Sequence, residues 1–107
     1  MSSETVIVNV QFKSSLSFES LQEISQKNIN ELTDVNGLII KYYYFNPETK
    51  IVGGTYLFKN LKLARSYLRY FFLNGIGLKY GIIPDTLKME TGMIHLEIKG
   101  KHIKISK

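Results

Sequence analysis

Gly37 to Phe58, GLIIKYYYFNPETKIVGGTYLF, reads as two apolar strands joined by a tight turn. Both halves are rich in aromatic and β-branched side chains, which fit a pleated, half-buried surface. Asn46-Pro47 opens the turn, with proline fixing φ at its second position. The first strand covers Gly37 to Phe45 and the second Ile51 to Lys59. Gly53-Gly54 inside the second strand signals a bulge or the close approach of another group. The register stays open at this level. A five-residue loop closed by Phe45 and Ile51 sets Tyr42 opposite Gly54 and Ile40 opposite Tyr56, so that the Tyr42 ring covers a missing side chain. A four-residue loop flips that assignment.

Working outward, Thr5 to Phe12 alternates with period two: Val6, Val8, Val10 and Phe12 against Ile7, Asn9 and Gln11. It is a strand with one apolar and one mixed face. Ser15 or Ser17 can cap the helix that follows. Phe18, Leu21, Ile24, Ile29 and Leu32 predict that helix over Phe18 to Leu32, ended by Asp34 to Gly37. After the hairpin, Asn60 caps a second helix. Its buried stripe is Leu61, Ala64, Leu68, Phe71 and Phe72, with Tyr67 and Tyr70 on its flanks and Lys62, Arg65, Ser66 and Arg69 outside. Asn74-Gly75 and Gly77 stop it, and a loop leads to Pro84. Thr86 to Lys99 predicts a fourth strand whose apolar parity changes near Gly92, the sign of a bulge or bend. His102 to Ile105 adds a short fifth one.

The order β-α-β-β-α-β predicts an α+β, ferredoxin-like domain over residues 1–107: an antiparallel four-stranded sheet with two helices on one face. Two helices cover one side only. Yet Ile39, Tyr43, Phe45 and Leu57 alternate with Leu38, Ile40, Tyr42, Tyr44, Tyr56 and Phe58, so both faces of the hairpin are apolar. An exposed patch of that size implies an interface, most simply a two-fold homodimer.

Composition narrows the chemistry. The chain of 107 residues, 44% hydrophobic, suits one domain. It contains no cysteine, which excludes disulfides, thiolate metal sites and cysteine nucleophiles. No apolar run is long enough to span a membrane, and the MSSETV start lacks a secretory pattern. A soluble, cytoplasmic protein is the expectation. The net charge of +5 is partly carried by Lys99, Lys101, Lys104 and Lys107. This tail reads as a solubilising surface ahead of a nucleic-acid contact.

The run Gly37-Leu-Ile-Ile-Lys41, then Gly53-Gly54-Thr55-Tyr56-Leu57-Phe58, then Ala64 and Tyr67-Leu68, resembles the YdhR-type monooxygenases. These belong to the dimeric α+β barrel superfamily, alongside the antibiotic-biosynthesis monooxygenases. The resemblance covers Gly37 to Leu68 and extends to the rest by topology. It implies a homodimer with facing sheets and, in each subunit, a pocket between sheet and helices. In better-understood relatives that pocket takes a polycyclic or quinol-like aromatic, oxidised by O₂ without metal or flavin. Ile40 and Tyr43 stand where family members often carry tryptophan. Haem-degrading relatives use a strand-one asparagine, which Asn9 could match, together with a tryptophan and a helix-two histidine. This chain has no tryptophan, and its second helix has no histidine.

The candidate catalytic residues are Asn9, a lone amide on an apolar strand, and His95, which is the natural general base at neutral pH. Tyr42, Tyr44 and Tyr56 are candidate substrate-binding residues that could share a face, sandwich a flat apolar or aromatic ligand and donate hydrogen bonds. The structural alternatives are an interface asparagine, a structural histidine and core or interface aromatics. Two histidines and scattered carboxylates show no metal-ligand spacing, and no cofactor motif is present. The expected function is cofactor-independent monooxygenation. A non-catalytic small-molecule-binding or regulatory homodimer of the same fold is the rival.

Overall fold

The structure, a computed structural model, describes residues 5–73 and 79–102. Strands β1 (Val6–Lys13), β2 (Leu38–Asn46), β3 (Ile51–Phe58) and β4 (Lys88–Met93) form one antiparallel sheet in the order β2-β3-β1-β4. Helices α1 (Phe18–Lys27), α2 (Ile29–Thr33) and α3 (Leu61–Leu73) complete a ferredoxin-like α+β fold. A single 3₁₀ turn, Pro84–Thr86, leads into β4.

Local chemistry explains the helix starts. Ser17 accepts from the Ser20 backbone N–H at 3.1 Å, and Asn60 Oδ1 accepts from that of Leu63 at 2.9 Å, each satisfying a donor the helix leaves unpaired. The single helix predicted over Phe18 to Leu32 is two. Asn28 ends α1, and its backbone N–H is shared between the Ile24 and Ser25 carbonyls. Gly37, at φ +83°, makes the turn into β2.

The four-residue loop is the one adopted: Asn46 pairs with Ile51, Phe45 with Val52 and Tyr43 with Gly54. Asn46 holds the turn, its Oδ1 accepting from the backbone N–H of Glu48 at 2.9 Å and of Thr49 at 3.2 Å. A register shift between Leu38 and Ile40 swaps parity at the start of β2. Residues directly opposite share a face. One face therefore carries Val6, Val8, Val10 and Phe12 with Val52, Gly54, Tyr56 and Phe58, then Lys41, Tyr43 and Phe45. The other carries Ile7, Asn9 and Gln11 with Gly53, Thr55 and Leu57, then Ile40, Tyr42 and Tyr44.

The helices cover the first face. Ala64, Tyr67 and Phe71 of α3 are buried with Leu21 of α1 against the β1 valines, Tyr56 and Phe58. Tyr67 is thus central to the buried stripe of α3 and not on its flank. The second face is open, and Tyr42 on it is 62% exposed.

The structure resolves three further expectations. Gly53-Gly54 marks a close approach and not a bulge, because its pairing with β1 and β2 is unbroken. It is Tyr44, not Tyr42, whose ring lies over a glycine: a Cβ on Gly53 would fall 2.1 Å from Tyr44 Cζ. The fourth strand ends at Met93 without a bulge at Gly92, which pairs with Ile7 in register. The parity change in the sequence marks the strand's end. The predicted stop of the second helix at Asn74-Gly75 and Gly77 lies outside the described residues, as does most of the predicted fifth strand.

The Tyr44–Gly53 contact makes a test. Gly53→Ala pushes the ring aside and breaks the hydrogen bonds Tyr44 makes with Gln11 and Asn9. The expected cost is about 1–2 kcal/mol in chemical denaturation. In a Tyr44→Ala background the same substitution should cost much less, and equal costs in the two backgrounds would refute the contact.

Candidate active site between sheet and helices

Strand β2 carries a single charged residue, Lys41. The register of β2 on β3 turns this residue toward the helices, opposite Tyr56. Its Nζ donates to Tyr56 Oη at 2.9 Å and sits 3.8 Å from the centre of the Tyr43 ring and 4.3 Å from that of Tyr56. Two aromatic faces thus stand in for the water an ammonium would have at the surface. Among the described residues no carboxylate is in ion-pair contact with it. Burial with no opposing charge disfavours the ammonium form and pushes the Lys41 pKa down to about 7. The amine is therefore present in both protonation states near neutral pH.

The Tyr43 ring leads on to a pair of hydroxyls. Tyr43 Oη and Tyr80 Oη are 3.0 Å apart, and Asn28 Nδ2 donates to Tyr80 Oη at 2.9 Å. The Tyr67 ring packs on that of Tyr56, with centroids 5.3 Å apart. Burial first, then the hydrogen bond with Tyr80, raises the Tyr43 pKa; burial, then the neighbouring Tyr67, raises that of Tyr56; burial raises that of Tyr67. These phenols remain protonated donors, and Lys41 is the group poised to exchange a proton.

A groove of about 600 Å³ opens between α1 and the turn end of β2 and β3. It is within the range of small-molecule sites. Phe18 of α1 and Phe45 of β2 stack at 4.7 Å along it, and Leu21, Ser25, Tyr43 and Val52 continue its wall. A second, smaller cavity of about 20 Å³ lies beside Lys41 and shares Tyr43 and Val52 with the groove. Tyr43 is the partition between them.

The sequence-derived candidates fall in three places. Tyr56 lies in this cluster, on the helix face. Tyr42 and Tyr44 are on the open face, so the three tyrosines do not share one: the four-residue turn fixes the opposite parity. Asn9 is also on the open face, where its Oδ1 accepts from Thr55 Oγ1 at 2.8 Å and from Tyr44 Oη at 3.3 Å. His95 lies beyond the end of β4 and is exposed, not within a core strand. Among the described residues no three His, Cys, Asp or Glu side chains converge as a metal site would need.

The sequence reading missed Lys41, Tyr43 and Tyr80 as site residues. A single cation inside an apolar strand was a usable signal for Lys41. Tyr80 offers none, because it arrives from a distant loop, where Ser14 Oγ donates to its carbonyl at 2.6 Å.

Comparison with known proteins agrees with this architecture. The sequence model of the family described as "Putative mono-oxygenase ydhR" matches residues 7–82. No curated protein matches the chain in sequence. Among solved structures, SnoaB, a cofactor-independent oxygenase from Streptomyces nogalater, is similar in fold. It has 9% identity and a TM-score of 0.61, over 91% of this chain and 97% of that one, and a point mutant of it gives the same values. A protein of unknown function from Nitrosomonas europaea has 8% identity and a TM-score of 0.67, over 92% of this chain and 97% of its own.

Lys41 makes stability depend on pH in a defined direction. Its pKa is 10.5 in the open chain and about 7 when folded, so between those values the unfolded state binds more protons. Stability from this group then rises with pH from about 7 to 10.5 and is flat below 7. Lys41→Met should stabilise the fold by a few kcal/mol at pH 6 and by little above pH 10.5. Urea titrations across that range check it, and a pH-independent difference would place the amine in water.

Proposed function

The chain belongs to the ydhR family, and on that premise we propose that it is a monooxygenase that needs no cofactor and acts on a flat aromatic or quinol-like molecule. The supporting observation is the partly desolvated Lys41 amine, bonded to the Tyr56 hydroxyl and packed on the Tyr43 and Tyr56 rings beside an apolar groove. SnoaB, which shares the fold, is described as a cofactor-independent oxygenase.

The chemistry follows from what O₂ requires. A neutral phenol is a poor one-electron donor and its anion a good one. The ligand lies in the groove against Phe18 and Phe45, and movement of the Tyr43 ring brings its hydroxyl to Lys41. The neutral amine takes the phenolic proton, and the ammonium so formed stabilises the anion it has made. Tyr56 and Tyr80 donate to the developing charge. A ring C–H then becomes C=O. One oxygen atom enters the ring, and the other leaves as water with two hydrogens. Of the sequence-derived candidates, Tyr56 keeps a substrate-binding role in this reading, whereas Asn9, Tyr42 and Tyr44 serve an interface.

That interface is the open sheet face. Ile7, Ile40 and Tyr42 are exposed there, around the hydrogen-bonded group of Asn9, Gln11, Tyr44 and Thr55. A second copy of the chain covers it in this proposal. Light scattering should give twice the 12.3 kDa chain mass, and Ile40→Asp should halve it. A monomer at micromolar concentration would remove the argument.

Activity is tested by oxygen uptake with hydroquinones and polycyclic phenols and no added cofactor. Uptake should match substrate loss one for one and increase through pH 7 as Lys41 loses its proton. Lys41→Met should lower kcat by about 10²–10³ while the aromatic still binds. Binding without uptake across the panel would support the non-catalytic rival.

A further inference from the structure

The small cavity beside Lys41 has a definite chemistry. Its volume is about 20 Å³, room for one water-sized or diatomic molecule and none for an aromatic ring. Its wall is almost wholly apolar, built from Val10, Phe12, Val52 and Phe71 with Tyr43, Tyr56 and Tyr80, and Lys41 closes one side. A small apolar molecule fits such a wall without needing the several polar partners a buried water would. Gly54 keeps the space open: a Cβ there would fall 3.1 Å from Lys41 Cε and 3.5 Å from Nζ, so a molecule in the cavity sits within a few ångströms of the amine. The cavity and the groove share Tyr43 and Val52, which places its occupant next to a ligand in the groove.

We propose that this cavity binds dioxygen and that the Lys41 ammonium stabilises the superoxide formed there. The redox part rests on the oxygenase reading; occupation of the cavity by O₂ does not. Once the aromatic has given its proton to Lys41, its anion passes one electron to O₂, leaving an aromatic radical and superoxide. The charge created in an apolar cavity is met by the one cation beside it, where low polarity makes the attraction strong. Radical and superoxide combine to form the C–O bond of a peroxide anion, which takes the proton back from Lys41. The hydroperoxide then loses water across its O–O and C–H bonds to leave the carbonyl, and the neutral amine is restored.

Dioxygen itself is the probe, because its paramagnetism speeds the relaxation of nearby methyl groups. Under O₂ pressure the Val10 and Val52 methyls should relax severalfold faster than those of Val6, which is also buried, at the other end of β1. Gly54→Ala, or Val10→Ile on the paired strand if that folds better, fills the space and should bring the Val52 methyls to the Val6 rate. Equal rates in the native protein, or rates unchanged by filling, overturn the site. In turnover, Gly54→Ala should raise KM for O₂ about fivefold and leave KM for the aromatic unchanged. An unchanged KM for O₂ refutes the role in the reaction. If no aromatic is turned over, the oxygenase reading falls, and the methyl rates still decide whether O₂ binds.

Discussion

The register of β2 on β3 is the constraint from which the rest follows. Asn46 fixes it by accepting two backbone hydrogen bonds within a four-residue turn. A slip of one residue would exchange the faces of every side chain on β2. Lys41 and Tyr43 would then point to the open side, and Tyr42 and Tyr44 into the helices. The single cation, the groove partition and the stacked Phe45 all lie on the helix face because of this one turn. A local choice of backbone geometry decides which of two aromatic rows becomes a site.

Burying an amine costs stability, and the fold offsets only part of that cost. Two tyrosine rings and one hydroxyl solvate the ammonium, with no carboxylate among the described residues to hold the charge. A carboxylate partner would have stabilised the protein more and fixed the amine in its charged form. The observed surroundings leave it able to gain and lose a proton near neutrality. Tyr43, Tyr56 and Tyr67 around it do not compete for that role, since burial keeps them protonated.

Much of the fold was legible in the sequence because it rests on local periodicity. The alternation in β1 identified the buried face directly, and the helical spacing of Ala64 and Phe71 did so for α3 while leaving Tyr67 on the flank. The break at Asn28 left a trace in the five-residue step from Ile24 to Ile29, which does not fit a continuous helix. The site was less legible. The period of two gives two faces to a strand but does not say which one the helices cover, and the turn length left that open for Lys41, Tyr42, Tyr43 and Tyr44. Tyr80 joins the cluster only through tertiary contact. His95 reads as part of a strand in sequence because Ile94, Leu96 and Ile98 continue an alternation; pairing stops after Ile94, which donates to the Thr5 carbonyl, and Leu96 and Ile98 are 66% and 82% exposed.

Asn28 joins two parts of the molecule that differ in how firmly they are held. It terminates α1, whose only fully buried side chain is Leu21, and α2, which it precedes, buries none. Its side chain meanwhile donates to Tyr80, next to the Tyr43 partition. Segments with so little buried surface open at lower free energy than the sheet beneath them. Breathing of α1 therefore loosens the outer wall of the groove and the hydroxyl pair at its inner end in one cooperative event. Entry to the interior does not require any part of the sheet to unfold.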